Sequence, residues 1–294
     1  MLTYIAYLKK LNNFTPTVYD ITDEHPDVNP KYSHRAYSGS KLYYECYKNI
    51  AHDVKDGTHL LDIGAYPGTF LRLCKDIYFN KKQMHLTGTG LILPEDEENY
   101  RSKARKFKNI KCIQSDLGFK DYFLSEGIDF ISCELDYCFN KENDNAFNER
   151  FDIVTCMEVI EHLHTPYKLI NTIKSCLKPG GVCFLETNNV HNINGIIKLL
   201  FSRKSNLDPE LVERYIPDGY TTKRPHIRFY SIHEICYLLK KAGFIIEKSY
   251  SFNWDIPPQI ISSLKNILSL STRNIFPLLF AGKRTHIAIK ARKK

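Results

Sequence analysis

Between residues 59 and 187, short apolar segments alternate with segments in which apolar residues recur at helical spacing. The strand-like segments are residues 59–63, 84–91, 109–115, 128–134, 151–157 and 182–186. The helix-like segments are residues 69–77, 94–107 and 166–177. Residues 151–157 are a continuous apolar run of the kind that a parallel sheet buries on both faces. The alternation predicts an α/β fold, a doubly wound, Rossmann-like sheet of mostly parallel strands, in which either 109–115 or 128–134 is an additional strand.

The regions around this alternating core have different patterns. Residues 1–56 lack a sustained period and are predicted to form an N-terminal extension, with a helix in the tyrosine-rich stretch 37–47. The main domain is predicted to span residues 57–292. It contains an inserted lid or acceptor-binding region at 188–230 and a helical insertion at 256–282, whose apolar face either packs on the core or contacts lipid. The remaining predicted elements are a helix at 231–242, a strand at 244–252 and an antiparallel last strand at 286–290.

The composition is that of an ordinary globular protein, which excludes disordered, collagen-like and coiled-coil chains. Of the 294 residues, 43% are hydrophobic and 25% are charged, and 41 basic against 33 acidic residues give a net charge of +8. This charge is compatible with an acidic ligand but does not require nucleic acid. The nine cysteines contain no C-x-x-C pair, so we expect reduced, buried thiols. Because no signal peptide or membrane-spanning stretch is recognisable, we expect a cytoplasmic location.

A glycine-rich turn follows the first predicted strand. Residues 62–68 read D-I-G-A-Y-P-G and place Gly64 and Gly68 where the strand turns into a helix. Such a turn lets the backbone approach a ligand closely and directs amide groups toward a carboxylate, phosphate or ribose. The segment matches neither G-x-G-x-x-G nor the triphosphate-binding G-x-x-x-x-G-K-S/T pattern, which disfavours dinucleotide and triphosphate sites.

Four short motifs follow one another in a fixed order along the chain. They are D-I-G-A-Y-P-G at 62–68, F-D-I-V ahead of E-V-I-E-H-L at 151–163, L-K-P-G-G at 177–181, and H-I-R-F-Y followed by A-G-F at 226–244. This order resembles that of the class I S-adenosylmethionine-dependent methyltransferases, of methyltransferase types 11, 12 and 23 and of ubiquinone-pathway O-methyltransferases. The resemblance extends over residues 57–292 and implies a transferase that uses S-adenosylmethionine as its methyl donor.

The resemblance also implies which residues bind the cofactor. In the family, the acidic residue and glycines after the first strand hold the methionine part, which here corresponds to Asp62, Gly64 and Gly68, with Ala65 in the same turn. Further cofactor contacts are implied for Thr89, Glu134, Leu135 and Met157.

One departure from the family concerns the cofactor ribose. The second strand usually ends in an acidic residue that binds the ribose hydroxyls, whereas T-G-T-G-L at 87–91 offers no carboxylate. Thr89 and the more distant Asp116 are the alternatives for this role. On the adenine side, Glu134 fits the family position best and Asp116 is its competitor.

The segment E-V-I-E-H contains three potential metal ligands. Glu158, Glu161 and His162 lie at i, i+3 and i+4, so one helical turn would bring them to one face, where they suit Mg²⁺ or Mn²⁺. The segment is similar to that of ubiquinone-pathway O-methyltransferases and of small-RNA 3′-end 2′-O-methyltransferases, in which it is associated with metal dependence. In the latter a further histidine completes the site, and His226 matches its position. The alternative is that the two glutamates organise the loop or orient the substrate.

Methyl transfer from a sulfonium requires mainly the alignment of a nucleophile with the methyl group. A hydroxyl acceptor must also lose its proton, and a histidine is the usual group to accept it. We therefore predict catalytic roles for His162 and His226. A structural role is expected for His164, and His191 either has such a role or lines the acceptor pocket.

These features lead to three hypotheses about function. The first is an O-methyltransferase for a small molecule, a sugar or a lipid-linked metabolite, whose acceptor pocket would be lined by Asn188, Phe201, Tyr215 and Tyr220. The second is a metal-dependent RNA 2′-O-methyltransferase, which is not favoured because no RNA-binding module is recognisable. The third is a catalytically silent, methyltransferase-like binding subunit, suggested by the missing acidic residue of the second strand.

Overall fold

The computed structural model describes residues 2–21, 34–90, 97–98, 101–102, 117–132, 147–202, 226–253 and 284–294. The chain divides into two compact units. The first contains residues 1–133 and 254–270, and the second contains residues 134–253 and 271–294.

The sheet of the first unit consists of three parallel strands in the order β3-β2-β1. The strands are β1 (Thr58–Ile63), β2 (Met84–Gly90) and β3 (Ile128–Ser132). A short helix α4 (Thr69–Leu73) follows β1 and continues as a π-helical turn at Cys74–Tyr78, and α5 (Phe119–Ser125) precedes β3. The register pairs Asp62 with Gly88 and Ile63 with Thr89, so the carboxyl ends of β1 and β2 lie side by side.

The N-terminal residues of the first unit form the helices α1 (Tyr4–Leu11), α2 (Arg35–Ser38) and α3 (Ser40–Ile50). Tyrosine rings fill the space around these helices: Tyr47 stacks on Tyr78 with the ring centroids 4.4 Å apart, and Tyr7 lies 5.1 Å from the same ring. Large aromatic side chains bury much apolar surface, which explains how a segment without a sustained apolar period packs firmly. The predicted boundary at residue 56 stays a prediction.

A buried polar network joins residue 20 to α4. Asp20 is the last residue of a 3₁₀ turn at Val18–Asp20 and is fully buried. Its carboxylate lies 3.1 Å from the Arg72 guanidinium. The carboxylate also accepts hydrogen bonds from the hydroxyl groups of Thr17 and Thr69. Because Arg72 is itself buried, Asp20 neutralises a charge that solvent cannot reach.

The sheet of the second unit has the order β4-β5-β7-β6, with β4 and β5 parallel and β7 antiparallel to both of its neighbours. Its strands are β4 (Phe151–Met157), β5 (Leu177–Asn188), β6 (Phe244–Phe252) and β7 (His286–Lys293). Its α-helices are α6 (Pro166–Cys176), α7 (Ile193–Ser202) and α8 (Ile232–Lys241). A capping box starts α8, in which the Ser231 and Glu234 side chains bind each other's backbone amides.

Most of the predicted elements are present. The strand predicted at 151–157 has the predicted bounds, and the prediction of an α/β, Rossmann-like fold with an antiparallel last strand is confirmed. The helix after the glycine turn and the helix at 166–177 are found within one residue of their predicted ends. The predicted strand at 109–115, most of the helix at 94–107 and the insertion at 256–282 lie outside the described residues.

Four elements differ from the sequence-based predictions. Helices α1 and α5 were not indicated by the sequence patterns, and α7 lies in the region that was predicted to be irregular. K-P-G-G at 178–181, which was expected only to separate a helix from a strand, lies within β5, whose first residue pairs with Phe151. Among the described residues, no helix is long and apolar enough to cross a membrane.

Candidate active site

The glycine turn of the first unit needs glycine at both of its marked positions. Gly64 and Gly68 have φ values of 76° and 79°, a left-handed conformation that strains other residues. A Cβ at Gly68 would also overlap the ring of Phe123. The Ala65 amide donates to the Thr89 carbonyl oxygen at 2.8 Å, which fixes the turn to the end of β2. The turn therefore presents backbone rather than side chains at the carboxyl end of β1.

Asp62 lies in this turn at the carboxyl end of β1, with 3% of its surface exposed. Its negative charge acts on two buried neighbours. Burial raises the pKa of Tyr43 and that of the Cys74 thiol well above their usual values, and the charge of Asp62 raises both further. A carboxylate held in such surroundings attracts a cationic group, and the amino group of an amino acid is one.

Thr89, at the end of β2, is one of the two residues predicted from the sequence to contact the cofactor ribose. Thr89 is completely buried, and its hydroxyl has no hydrogen-bond partner among the residues that the structure describes. Buried hydroxyls are rarely left without a partner, so this one is available to a ligand hydroxyl. Asp116, the alternative candidate for the ribose, lies outside the described residues, as do Glu134, predicted on the adenine side, and Leu135, a further predicted cofactor contact.

The segment E-V-I-E-H of the second unit does not form an α-helical turn. Glu158 directly follows β4 with a φ of 54°, and its amide donates to the Glu186 carbonyl oxygen at 3.3 Å. Only residues Ile160–His162 are helical, in a single 3₁₀ turn. Because the backbone reverses at Glu158, the i, i+3, i+4 spacing does not bring its side chain into the same group of ligand atoms as Glu161 and His162.

Glu161, His162 and His226 form one group of potential ligands and proton acceptors, which we call the Glu161 group. One side-chain oxygen or nitrogen atom from each lies within 4.8 Å of the other two. The two imidazole rings meet edge to face with centroids 4.7 Å apart. The Ile227 amide donates to the Glu161 carbonyl oxygen at 2.8 Å, which holds His226 beside the loop although it is distant in sequence.

The electrostatics of the Glu161 group follow from burial. Glu161 is completely buried, and its carboxylate accepts hydrogen bonds from the Thr187 hydroxyl at 2.7 Å and from the Asn188 amide at 3.2 Å. Burial raises its pKa, and these two donors partly offset that effect. Burial and the charge of His162 lower the pKa of His226, which the Glu161 charge offsets only in part. His226 is therefore neutral at neutral pH and can accept a proton.

Glu158, Glu186 and His286 form a second group, which we call the Glu186 group. Their ligand atoms also lie within 4.8 Å of one another. Nε2 of His286 is 3.5 Å from Oε1 of Glu158, and the Asn188 amide is 3.3 Å from Oε2 of the same carboxylate. Burial raises the pKa of Glu186 well above its usual value, and the charges of Glu158 and Glu161 raise it further. Burial lowers the pKa of His286 to about 3.

Sequence reasoning did not find Glu186 or His286. An acidic residue at the end of the apolar run 182–186 was a visible signal for Glu186. His286 carried no such signal, because only the pairing of β5 with β7 places it opposite Asn188.

The remaining predicted site residues differ in how deeply they are buried. Met157 is buried at the end of β4, whereas His164, His191 and Phe201 are exposed, and Phe201 exposes 85% of its surface. Tyr215 and Tyr220 lie outside the described residues.

Parallel strands, antiparallel last strands and a glycine turn with an acidic residue after the first strand define the class I methyltransferase fold. The chain belongs to a methyltransferase domain family, whose model matches residues 39–249. The predicted membership of the S-adenosylmethionine-dependent methyltransferases is thereby confirmed.

Curated relatives match parts of the chain. The ubiquinone biosynthesis O-methyltransferase of Hydrogenovibrio crunogenus is 27% identical over 115 residues, which cover 39% of this chain and 44% of that protein. The enzyme of the same name from Haemophilus ducreyi is 52% identical over 48 residues, 16% of this chain and 20% of that protein. The chain thus matches less than half of the length of these relatives.

A solved structure supports the fold over nearly the whole chain. The crystal structure of a candidate sarcosine dimethylglycine methyltransferase from Galdieria sulphuraria has a TM-score of 0.50 and 12% sequence identity, and the match covers 99% of this chain and 98% of that one. At this identity the likeness concerns the fold alone.

Proposed function

We propose that the protein transfers the methyl group of S-adenosylmethionine to a hydroxyl group of a small molecule, a sugar or a lipid-linked metabolite. The family supports the methyl donor, and the name of the ubiquinone relatives supports a hydroxyl acceptor. The observation that carries the proposal is the Glu161 group, in which a neutral imidazole lies beside a buried carboxylate.

The residues of the first unit fit the methyl donor. Asp62 offers a buried carboxylate to the amino group of the methionine part, and the two glycines of the turn let the backbone approach that part of the donor closely. The unpartnered hydroxyl of Thr89 fits a ribose hydroxyl, which both donates and accepts hydrogen bonds. When bound, S-adenosylmethionine supplies an electrophilic methyl group on a sulfonium.

The residues of the second unit supply a proton acceptor. The acceptor oxygen becomes a better nucleophile as its proton passes to an imidazole nitrogen. His226 suits this role because burial and the neighbouring His162 keep it neutral. The Glu161 carboxylate stabilises the positive charge that His226 acquires, since it raises the pKa of that imidazole.

The same residues fit a divalent cation. Glu161, His162 and His226 offer one carboxylate oxygen and two imidazole nitrogens, a mixed donor set that suits Mn²⁺ better than Mg²⁺. When bound, such a cation lowers the pKa of an acceptor hydroxyl. In that case His162 and His226 act as ligands, and the need for a basic side chain is removed.

Calorimetric titration with S-adenosylmethionine and S-adenosylhomocysteine tests donor binding. We expect saturable binding by the wild type and by Asp129→Ala, a variant of an exposed carboxylate on β3. We expect Asp62→Ala to bind at least tenfold more weakly, because it loses a charge-assisted hydrogen bond. Equal affinities of the two variants would contradict the role of Asp62, and no binding by the wild type would contradict the proposal.

Acceptor chemistry is tested with methyl-labelled donor and a panel of phenols, sugars and prenylated phenols, with amines as the contrasting class. We expect label only on oxygen. His226→Asn should lower the turnover rate by about 10²–10⁴-fold, the usual contribution of general base catalysis. His164→Asn, which changes an exposed histidine, is the control and should retain full turnover. Labelled amines without labelled hydroxyls would refute the proposed acceptor class.

Neither alternative hypothesis gains support from the described residues. An RNA 2′-O-methyltransferase would use the Glu161 group together with Glu158, but Glu158 contributes to the Glu186 group instead. A catalytically silent subunit would bind the donor without turnover, which the acceptor panel measures directly.

A further inference from the structure

The Glu186 group lies where the strands of the second unit end. Glu158 follows β4 directly, Glu186 lies in β5 next to Met157 of β4, and His286 begins β7 opposite Asn188 of β5. The carboxyl ends of parallel strands are the edge at which α/β proteins bind their ligands. The backbone pairing of three strands thus fixes the positions of two carboxylates and one imidazole.

Glu186 is the member of the group that points to a ligand. Its side chain is completely buried, and neither of its carboxyl oxygens has a hydrogen-bond partner among the described residues. The Glu158 amide donates to the Glu186 carbonyl oxygen at 3.3 Å. A buried carboxyl group without a donor is costly, so two free oxygens aimed at other ligand atoms indicate a missing positive partner.

The other two members supply complementary ligand atoms. His286 is buried and brings Nε2 to 3.5 Å from Oε1 of Glu158, and its Nδ1 is 2.8 Å from the hydroxyl of Thr285. A hydrogen bond at one ring nitrogen commonly orients the other nitrogen toward a metal. The Asn188 amide holds the Glu158 carboxylate from the side of the Glu161 group.

We propose that Glu158, Glu186 and His286 bind a divalent transition metal ion. Two carboxylate oxygens and one imidazole nitrogen form a mixed donor set that suits Mn²⁺, Fe²⁺ or Zn²⁺ better than Mg²⁺ or Ca²⁺, which prefer oxygen alone. This site differs from the ligand set indicated by the sequence, since it requires Glu186 and His286 and omits Glu161, His162 and His226. It is independent of the proposed function, because it concerns binding and not turnover.

Metal titration of the full-length protein tests the proposal. The metal-free wild type is titrated with Mn²⁺ by calorimetry and by electron paramagnetic resonance, which counts free and bound ion separately. We expect Glu186→Gln and His286→Asn each to weaken one Mn²⁺ site by at least tenfold. The control is His226→Asn, which alters the Glu161 group and should leave that site intact. Thermal unfolding without metal verifies that each variant is folded.

Spectroscopy identifies the ligand directly. In a protein that carries both His162→Asn and His226→Asn, electron spin echo measurements on the Mn²⁺ complex should show coupling to a histidine nitrogen, and this coupling should disappear when His286→Asn is added. Glutamine at position 186 keeps the shape of the side chain but cannot ionise to bind a metal as a carboxylate, so the effect of Glu186→Gln on binding reports ligation and not packing.

Two results would overturn the proposal. One is the absence of saturable Mn²⁺ and Zn²⁺ binding by a folded wild type, which would mean that Glu186 is neutralised by a proton shared with Glu158. The other is Mn²⁺ binding that survives in Glu186→Gln and His286→Asn but is lost in His226→Asn, which would assign the ion to the Glu161 group alone.

Discussion

Replacing Gly68 by alanine would introduce two energetic costs, backbone strain and a steric clash, and comparison with Gly127→Ala separates them. Gly68 has a φ of +79°, and a Cβ placed there would overlap the ring of Phe123. Gly127, in the same unit, has a φ of +72° but no atom within 4 Å of its added Cβ. Gly68→Ala therefore combines backbone strain with a steric clash, whereas Gly127→Ala has the strain alone.

The expected magnitudes follow from these two terms. A left-handed backbone costs a residue other than glycine about 1–2 kcal/mol, which is the full effect expected for Gly127→Ala. Forcing extra volume into a packed site costs about 1–3 kcal/mol more. Gly68→Ala should accordingly lower the free energy of unfolding of the first unit by about 2–5 kcal/mol. It should also weaken S-adenosylmethionine binding, because the turn must shift to relieve the overlap.

Urea titration followed by circular dichroism measures both variants, and calorimetry measures donor affinity. A third protein, Gly68→Ala combined with Phe123→Ala, removes the ring that the added methyl group meets. Relative to Phe123→Ala alone, this double variant should lose only the backbone term, about 1–2 kcal/mol. Equal destabilisation by Gly68→Ala and Gly127→Ala would refute the reasoning, as would a Gly68→Ala cost unchanged by removal of the ring.

Three further outcomes are expected. Asp20→Asn should lower the free energy of unfolding by about 3–5 kcal/mol, because it leaves the buried Arg72 guanidinium without its carboxylate; thermal unfolding measures this, and the exposed Asp129→Asn should change it by less than about 0.5 kcal/mol. Ser231→Ala should cost about 1 kcal/mol through loss of the helix cap, as measured by urea titration. The pKa of His34 is lowered by burial from 6.5 to about 4, so the unfolded chain binds the proton first. As the pH falls from 6.5 to about 4, His34 should therefore lower the free energy of unfolding by about 1.4 kcal/mol per pH unit. His34→Gln should remove this contribution.

The sequence predicted the fold correctly where a local pattern of residues is enough to determine a helix or a strand. The strand at 151–157 was predicted with its observed bounds because it is an uninterrupted apolar run that both faces of a sheet bury. Helix α7 was missed because Asn194 and Gly195 suggested turns, although the helix contains both. Helix α1 was missed because it packs through tyrosine rings far apart in sequence, such as Tyr7 against Tyr78.

The candidate site was less predictable because its grouping depends on backbone details and strand pairing. The left-handed φ of Glu158 separates that residue from Glu161 and joins it to Glu186, which the i, i+3, i+4 rule could not indicate. Glu158 and His286 are 128 positions apart and meet only through the order of β4, β5 and β7. The E-V-I-E-H motif identifies the loop after β4, whereas the strand order determines which other side chains lie beside that loop.

The Asp20 network extends beyond the segment of the chain that matches the family. The family match begins at residue 39, yet the carboxylate that neutralises Arg72 comes from residue 20. A shortened protein that starts at the family boundary would retain the glycine turn but leave the buried Arg72 guanidinium without its carboxylate on the helix that follows the turn. The first twenty residues therefore supply the counterion of a buried arginine in the methyltransferase domain. Recombinant fragments and domain exchanges should keep them.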